Sequence, residues 1–218
     1  MQITHLGHAC LIVDVAGTRV LVDPGTYSAG FESLTDLDAI LVTHQHPDHV
    51  DPDRLPAVLA GNPQACLVVE PETAAGLDDE AKATDTRDVK AGDRIELSGA
   101  WIEVVGRWHA VNHDRVPPLG NVGYLMGAEG EPTLFHPGDS YADAPRGVDV
   151  LAFPLNAPWT RMSETLAFVR AVSAGIAVPI HDGLLNADGR STYLMHADKF
   201  GPAETEVVDL SDGTAYTV

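Results

Sequence analysis

The apolar run Ala39-Ile40-Leu41-Val42 passes directly into Thr43-His44-Gln45-His46-Pro47-Asp48-His49-Val50-Asp51, and this junction constrains the fold more than any other stretch. The run is bounded by turn-forming residues and reads as a short buried strand. The loop that leaves it holds four side chains able to ligate a metal, His44, His46, Asp48 and His49, within six positions. Alternate residues of an extended segment face the same way, so His44 and His46 can converge on one cation. Pro47 bends the path and frees Asp48 and His49 to face a second. Imidazole nitrogens with one carboxylate suit zinc, manganese, iron or nickel and serve calcium or magnesium poorly. A single loop histidine reads as a surface residue, whereas H-x-H-x-D-H behind a buried strand reads as a metal site.

The rest of the chain is consistent with a β-rich scaffold around that loop. Residues 2–5, 9–15 and 19–22 form an opening meander, and 24–36 a loop over one end of the sheet. A short helix is expected from Pro52 to Ala60, a strand at 66–69 and a second short helix at 71–77. Further strands are expected at 94–97, 100–105, 121–126, 133–135 and 149–153. Met162 to Ala174 is the clearest helix, with Ser163 as N-cap and Gly175 after its last turn. A strand at 176–180, a helix at 192–199 and a terminal hairpin over 206–218 complete the reading. Two β-rich halves, each followed by helix, suggest two sheets packed face to face with helices outside, an α/β (α+β) architecture.

The 218 residues fit one domain spanning 1–218, with 44% apolar side chains to fill a core. No run approaches the length of a membrane span, and the first residues lack the pattern of a signal peptide. Cys10 and Cys66 are the only cysteines and form no metal-spaced pair, so both are expected as core thiols of a cytoplasmic protein. The net charge is −19, and its few Arg and Lys are scattered singly. No basic face is available to grip nucleic acid or an anionic membrane. A small-molecule substrate is therefore expected, with no nucleic acid and no membrane partner, and a homo-oligomer remains open. Bound cations would reverse the local sign, so the substrate can still be anionic.

Three more candidate ligands fall at expected strand ends: His109 after 100–105, Asp139 in His136-Pro137-Gly138-Asp139, and His181 after 176–180. Singly, each has an ordinary structural reading. In succession, H-x-H-x-D-H, then His, then Gly-Asp, then His resembles the metallo-β-lactamase-fold hydrolases over nearly the whole chain. The opening, with Gly7-His8 in the first hairpin and Asp23-Pro24 after the following strand, is similar to the branch of ascorbate-6-phosphate lactonase-like hydrolases. The resemblance implies a four-layer αββα sandwich of two mixed sheets. It implies His44, His46 and His109 on one metal, and Asp48, His49 and His181 on a second, with Asp139 bridging. His113 is the alternative to His109; with His109 as ligand, His113 would line the substrate side of the cleft. His8 and Asp23 are expected near the ligands, with Asp23 accepting from a ligating histidine. His136 is placed at the strand end, Gly138 in a tight turn, and His5 and His196 as structural residues.

The chemistry implied is hydrolysis by a hydroxide held between two divalent transition-metal ions, zinc first, with manganese, iron or nickel as alternatives. Asp48 and His113 are the expected catalytic side chains, and no Ser–His or Cys–His nucleophile stands out. A compact chain of this charge, without an added domain, suits a small ester, lactone or phosphodiester. A nuclease and a non-catalytic binding protein are the alternative readings. Arg107, Arg115, Arg161 and Lys199 are candidates to bind an acidic substrate, with a solvated surface role as the ordinary reading of each.

Overall fold

The computed structural model describes residues 1–83 and 85–218. The first half of the chain lays down β1 (Gln2–His5), β2 (Leu11–Val15), β3 (Thr18–Val22), β4 (Ala39–Val42), β5 (Cys66–Val69) and β6 (Thr86–Asp88). The second lays down β7 (Arg94–Glu96), β8 (Trp101–Val105), β9 (Gly123–Gly127), β10 (Leu134–His136), β11 (Val150–Pro154), β12 (Ile176–Ile180), β13 (Glu206–Val207) and β14 (Tyr216–Thr217). They make two seven-stranded sheets, ordered β14-β1-β2-β3-β4-β5-β6 and β13-β12-β11-β10-β9-β8-β7. Both sheets are mixed: β1 to β3 and β7 to β10 run antiparallel, while β3 to β6 and β10 to β13 run parallel. The ends of β1, β3, β4, β8, β10 and β12 consequently emerge along one rim.

The apolar alternation sorts side chains into three layers. Val13, Val20, Leu41 and Val68 of the first sheet face Val104, Tyr124, Met126 and Val178 of the second across the central core. Ile12, Leu21, Ile40, Val42 and Leu67 point outward to Leu55, Val58 and Leu59 of α1 (Leu55–Gly61). Phe135, Leu151 and Phe153 meet Phe168, Val169 and Val172 of α3 (Met162–Val172) and Ala197 of α4 (Ala187–Phe200). The remaining helix, α2 (Pro71–Gly76), is capped by the Glu70 carboxylate. This is the four-layer αββα sandwich. Strand β4 is buried along its whole length, apolar on both faces, and so reads as an unbroken apolar run.

The main differences from the sequence reading are four. The helix expected at Pro52 begins at Leu55, because the Asp51 carboxylate accepts from the Asp53 and Arg54 amides and holds a turn first. Arg161, not Ser163, caps α3, and the Glu164 carboxylate accepts from its amide. Helix α4 starts at Ala187, five residues early, with the Asn186 side chain accepting from Gly189. The terminal hairpin does not form: β13 pairs with β12 in one sheet and β14 with β1 in the other. Each has only two residues and gains more from extending an edge than from pairing with the other.

Candidate metal centre

Every candidate ligand lies on the rim where strand ends converge. The loop after β4 carries His44, His46, Asp48 and His49, and β10, β12 and the segment beyond β8 bring Asp139, His181 and His109 to face it. Backbone bonds close the two sheets on one another here: the His181 amide donates to His8 O at 2.7 Å, and that of Val122 to Thr43 O at 3.0 Å. Among the described residues six non-glycine positions have positive φ, and three of them are His8, Asp23 and His181. Each sits in the left-handed region at a cost of about 1–2 kcal/mol, a concentration of strain that marks a working site. Two glycines allow close packing against their backbones. A Cβ on Gly25 would lie 1.8 Å from Asp48 O, and one on Gly138 2.3 Å from Asn121 Oδ1. Gly138 thus serves close approach as well as the tight turn expected of it, its φ being 60°.

Hydrogen bonds fix which nitrogen of each ring is free. His49 Nδ1 lies 2.7 Å from Asp23 Oδ2, His109 Nδ1 2.5 Å from Ala110 O and His181 Nδ1 2.7 Å from Asn156 O. These acceptors place the proton on Nδ1. Among the described residues the opposite Nε2 atoms of His49, His109 and His181 are buried without a well-aligned hydrogen-bond partner, as is Asp139 Oδ1. The Thr43 hydroxyl donates to Asp23 Oδ2 and is 3.0 Å from His44 Nδ1, so it accepts from that ring and leaves His44 Nε2 bare. His44 Nε2 faces His46 Nδ1 at 3.0 Å. Buried nitrogens left unsatisfied are costly and rare. Several aimed at one carboxylate, each held from behind, are the arrangement a cation completes.

The donor atoms fall into two groups, His44, His46, His109 and Asp139, and His8, Asp48, His49 and His181, each within 4.8 Å internally. Asp139 belongs with both: its Oδ1 lies 3.1 Å from His49 Nε2, and its Oδ2 3.2 Å from His181 Nε2 and 3.3 Å from His109 Nε2. His8 differs from the other rings. Its Nδ1 accepts from the Gly183 amide at 3.1 Å, so the neutral ring carries its proton on Nε2 and donates it to Asp48 Oδ2 at 3.0 Å. With no free lone pair toward the group, His8 steadies Asp48 and leaves the ligation to others.

Charge follows the same division. Burial alone would raise the Asp48 carboxyl, but the His8 hydrogen bond and the neighbouring histidines leave its pKa at about 2. Burial works against ionised Asp139 too, yet His181 and His49 hold it well below the carboxylate range. Against their own burial, His49 and His181 are raised by Asp139. Burial keeps His44, His46 and His8 low. The centre therefore pairs an anionic middle with rings that are already neutral or can give up a proton to a cation.

A model of the beta-lactamase superfamily domain matches residues 2–181. The chain belongs to the beta-lactamase superfamily. Protein Rv0786c of Mycobacterium tuberculosis is 45% identical over 194 residues, covering 88% of this chain and 89% of its own length. A protein of Azorhizobium caulinodans named UPF0173 metal-dependent hydrolase is 32% identical over 203 residues, covering 84% of this chain and 86% of its own. The metallo-beta-lactamase fold protein YhfI from Bacillus subtilis superposes with a TM-score of 0.73 at 16% identity, over 99% of this chain and 98% of that one. At that identity the likeness is one of fold.

Within this beta-lactamase superfamily scaffold, all seven expected ligand residues are brought to one cleft. His113 stands outside both donor groups, exposed on the wall of an adjoining cavity, with its Nδ1 accepting from Arg115 N. His136 is buried, donating from Nε2 to Ala9 O, and His5 Nε2 lies 2.8 Å from His8 O. His196 bonds within α4, to Thr192 O. Arg107 stacks on Trp108 and Lys199 on Phe200, and Arg161 stands at the start of α3. Cys10 and Cys66 are buried, free thiols. No helix is long and apolar enough to cross a membrane among the described residues. Four contributors escaped the sequence reading. Trp159 Nε1 donates to Asp139 Oδ2 at 2.8 Å, and the Asn121 side chain clamps the Pro137–Asp139 turn. Thr43 links Asp23 to His44, and Arg54 bonds to Gly25 O, Ser28 O and Asp51 beneath the ligand loop. Thr43 lay inside the motif and Arg54 just past it, while Trp159 and Asn121 are 20 and 18 residues from Asp139.

Proposed function

We propose that the protein is a metal-dependent hydrolase that acts on a small ester, lactone or phosphodiester and holds two divalent transition-metal ions, zinc first. The observation that carries this reading is the set of buried, bare Nε2 atoms of His49, His109 and His181 around Asp139, each ring anchored through Nδ1. His44, His46 and His109 would hold one ion, Asp48, His49 and His181 the other, and Asp139 both. When bound, such ions acidify a water molecule to near-neutral pKa and stabilise the oxyanion of the transition state. The chain's own residues provide the setting. Asp23 and Thr43 fix the tautomers of His49 and His44, so that both rings present lone pairs. Trp159 fixes the rotamer of Asp139. His8 keeps Asp48 ionised by donating its Nε2 proton to that carboxylate. His113, on the cavity wall, would meet the leaving group.

Metal analysis of chelator-free protein should find up to two transition ions per chain, alongside turnover within a panel of lactones, aryl esters and bis(p-nitrophenyl) phosphate with added zinc or manganese. His46→Ala should lose about one ion and most of the turnover. Full metal content and full activity in that variant would sink the assignment.

A further inference from the structure

Beside the metal centre lies a cavity of about 480 Å³, inside the range of about 300–1,000 Å³ typical of small-ligand sites. Its wall includes His46 and His109, so it opens onto the reacting centre. The remainder is supplied by the segment Trp108–Leu119, chiefly Val111, Val116, Pro117, Pro118 and Leu119. That segment is an arch pinned at its neck: Trp108 bridges to Gly120, the His109 amide donates to Leu119 O, and that of Ala110 to Asp139 O. The crown of the arch is open to water and sets Val111, Val116, Pro117 and Pro118 around the polar stretch Asn112 to Arg115, with Val111 73% and Val116 51% exposed.

Two further observations give the cavity a chemical preference. Among the described residues seven large apolar side chains are exposed, and five lie on segments bordering the centre: Trp108, Val111 and Val116 on the arch, Tyr27 edge-on to His8, and Leu184 three residues past His181. Apolar surface gathered at one mouth marks a binding face, whereas scattered exposure does not. Among the described residues no Lys or Arg lines the cavity, and its one carboxylate residue is Asp114. Arg107 lies over the Trp108 ring and lines a separate hollow, and Arg115, between Asp114 and Val116 on the arch, is not part of the cavity wall.

We propose that this cavity receives the non-reacting arm of the substrate, and that this arm is uncharged and apolar, an alkyl, acyl or aryl group, not a phosphate or a sugar phosphate. The inference rests on the hydrolase reading for the word substrate; the apolar preference stands on the cavity itself. Burying an arm in such a wall strengthens binding about two- to fourfold for each methylene.

Two readouts test it. In the metal-loaded enzyme, kcat/KM for p-nitrophenyl acetate, butyrate, hexanoate and octanoate should climb with chain length. In a V111D/V116D double variant that keeps its metal content, the climb should flatten. Independently of turnover, the neutral fluorophore N-phenyl-1-naphthylamine should bind the wild-type protein and bind at least tenfold more weakly to the variant. Hexanol should displace it and ribose 5-phosphate should not. A flat chain-length series in an active enzyme, equal probe binding in the variant, or displacement by ribose 5-phosphate alone would overturn the proposal. Probe binding lost in the variant with no ester turned over would support the apolar cavity and count against hydrolysis, so the two readings fail separately.

Discussion

The two walls of the cleft are built on opposite plans. On the inner wall Asp23, Thr43, His44 and His49 have no exposed surface, and the His44 and His49 rings are held from behind by the Thr43 hydroxyl and the Asp23 carboxylate. On the outer wall residues 111–118 are all exposed and bond mostly to each other. The inner wall fixes atoms to within tenths of an ångström, as ligand geometry requires. The outer wall offers area and shape, which an apolar guest needs, and leaves side chains free to change. Chemistry and choice of substrate are thereby assigned to different residues, and substitutions on the two sides should have effects of very different size.

The sharpest test is Asp139→Ala. It removes the carboxylate common to both donor groups and should lower kcat/KM by on the order of a thousandfold, with ion stoichiometry falling in parallel. An enzyme that kept both would erase the distinction between the walls. Next comes pH. In the metal-free chain Asp139 raises His49 and His181 against their burial, which favours their protonated forms. An entering cation must displace those protons, so apparent affinity should weaken as pH falls, by up to about a hundredfold per unit if two are released. Titration calorimetry in two buffers of different ionisation enthalpy counts them; zero released protons would refute the charge assignment.

Asp23→Asn tests the inner wall one bond away from the ions. It removes the charge behind His49 and should weaken metal affinity about 10–100-fold, read by competition with a chromophoric chelator, while the circular dichroism spectrum is retained. The smallest effect is expected outside. Val111→Ser should shift stability by no more than about 0.5 kcal/mol, which thermal melting resolves. A large drop in Tm would show that the arch is part of the scaffold.

The β4 junction was legible because a strand buried on both faces leaves an unbroken apolar run and the ligands follow within it. His109, Asp139 and His181 were legible as strand ends, and their grouping came from the resemblance. The rest was hidden for identifiable reasons. Trp159 reaches Asp139 only after β11 and α3 have packed, and nothing near Trp159 in sequence points to a carboxylate. The tautomer of His8 depends on Gly183, 175 residues away. Strands β13 and β14 have two residues each, too few for a period, so proximity in sequence suggested a hairpin that the sheets divided between them. Helix α4 was shortened because its first turn, Ala187-Asp188-Gly189-Arg190, carries little apolar signal and is held by Asn186.

The bond from the His181 amide to His8 O joins residues 173 positions apart, and the candidate ligands themselves run from His44 to His181. No short segment can preassemble such a set; it exists only when both sheets have closed on each other. Closing so long a span is slow relative to local structure. In refolding, acquisition of tightly held metal should therefore lag behind the recovery of secondary structure, which makes the ion a clock for the last step of assembly. A chain trapped before that step would have native-like strands and a solution-like grip on metal.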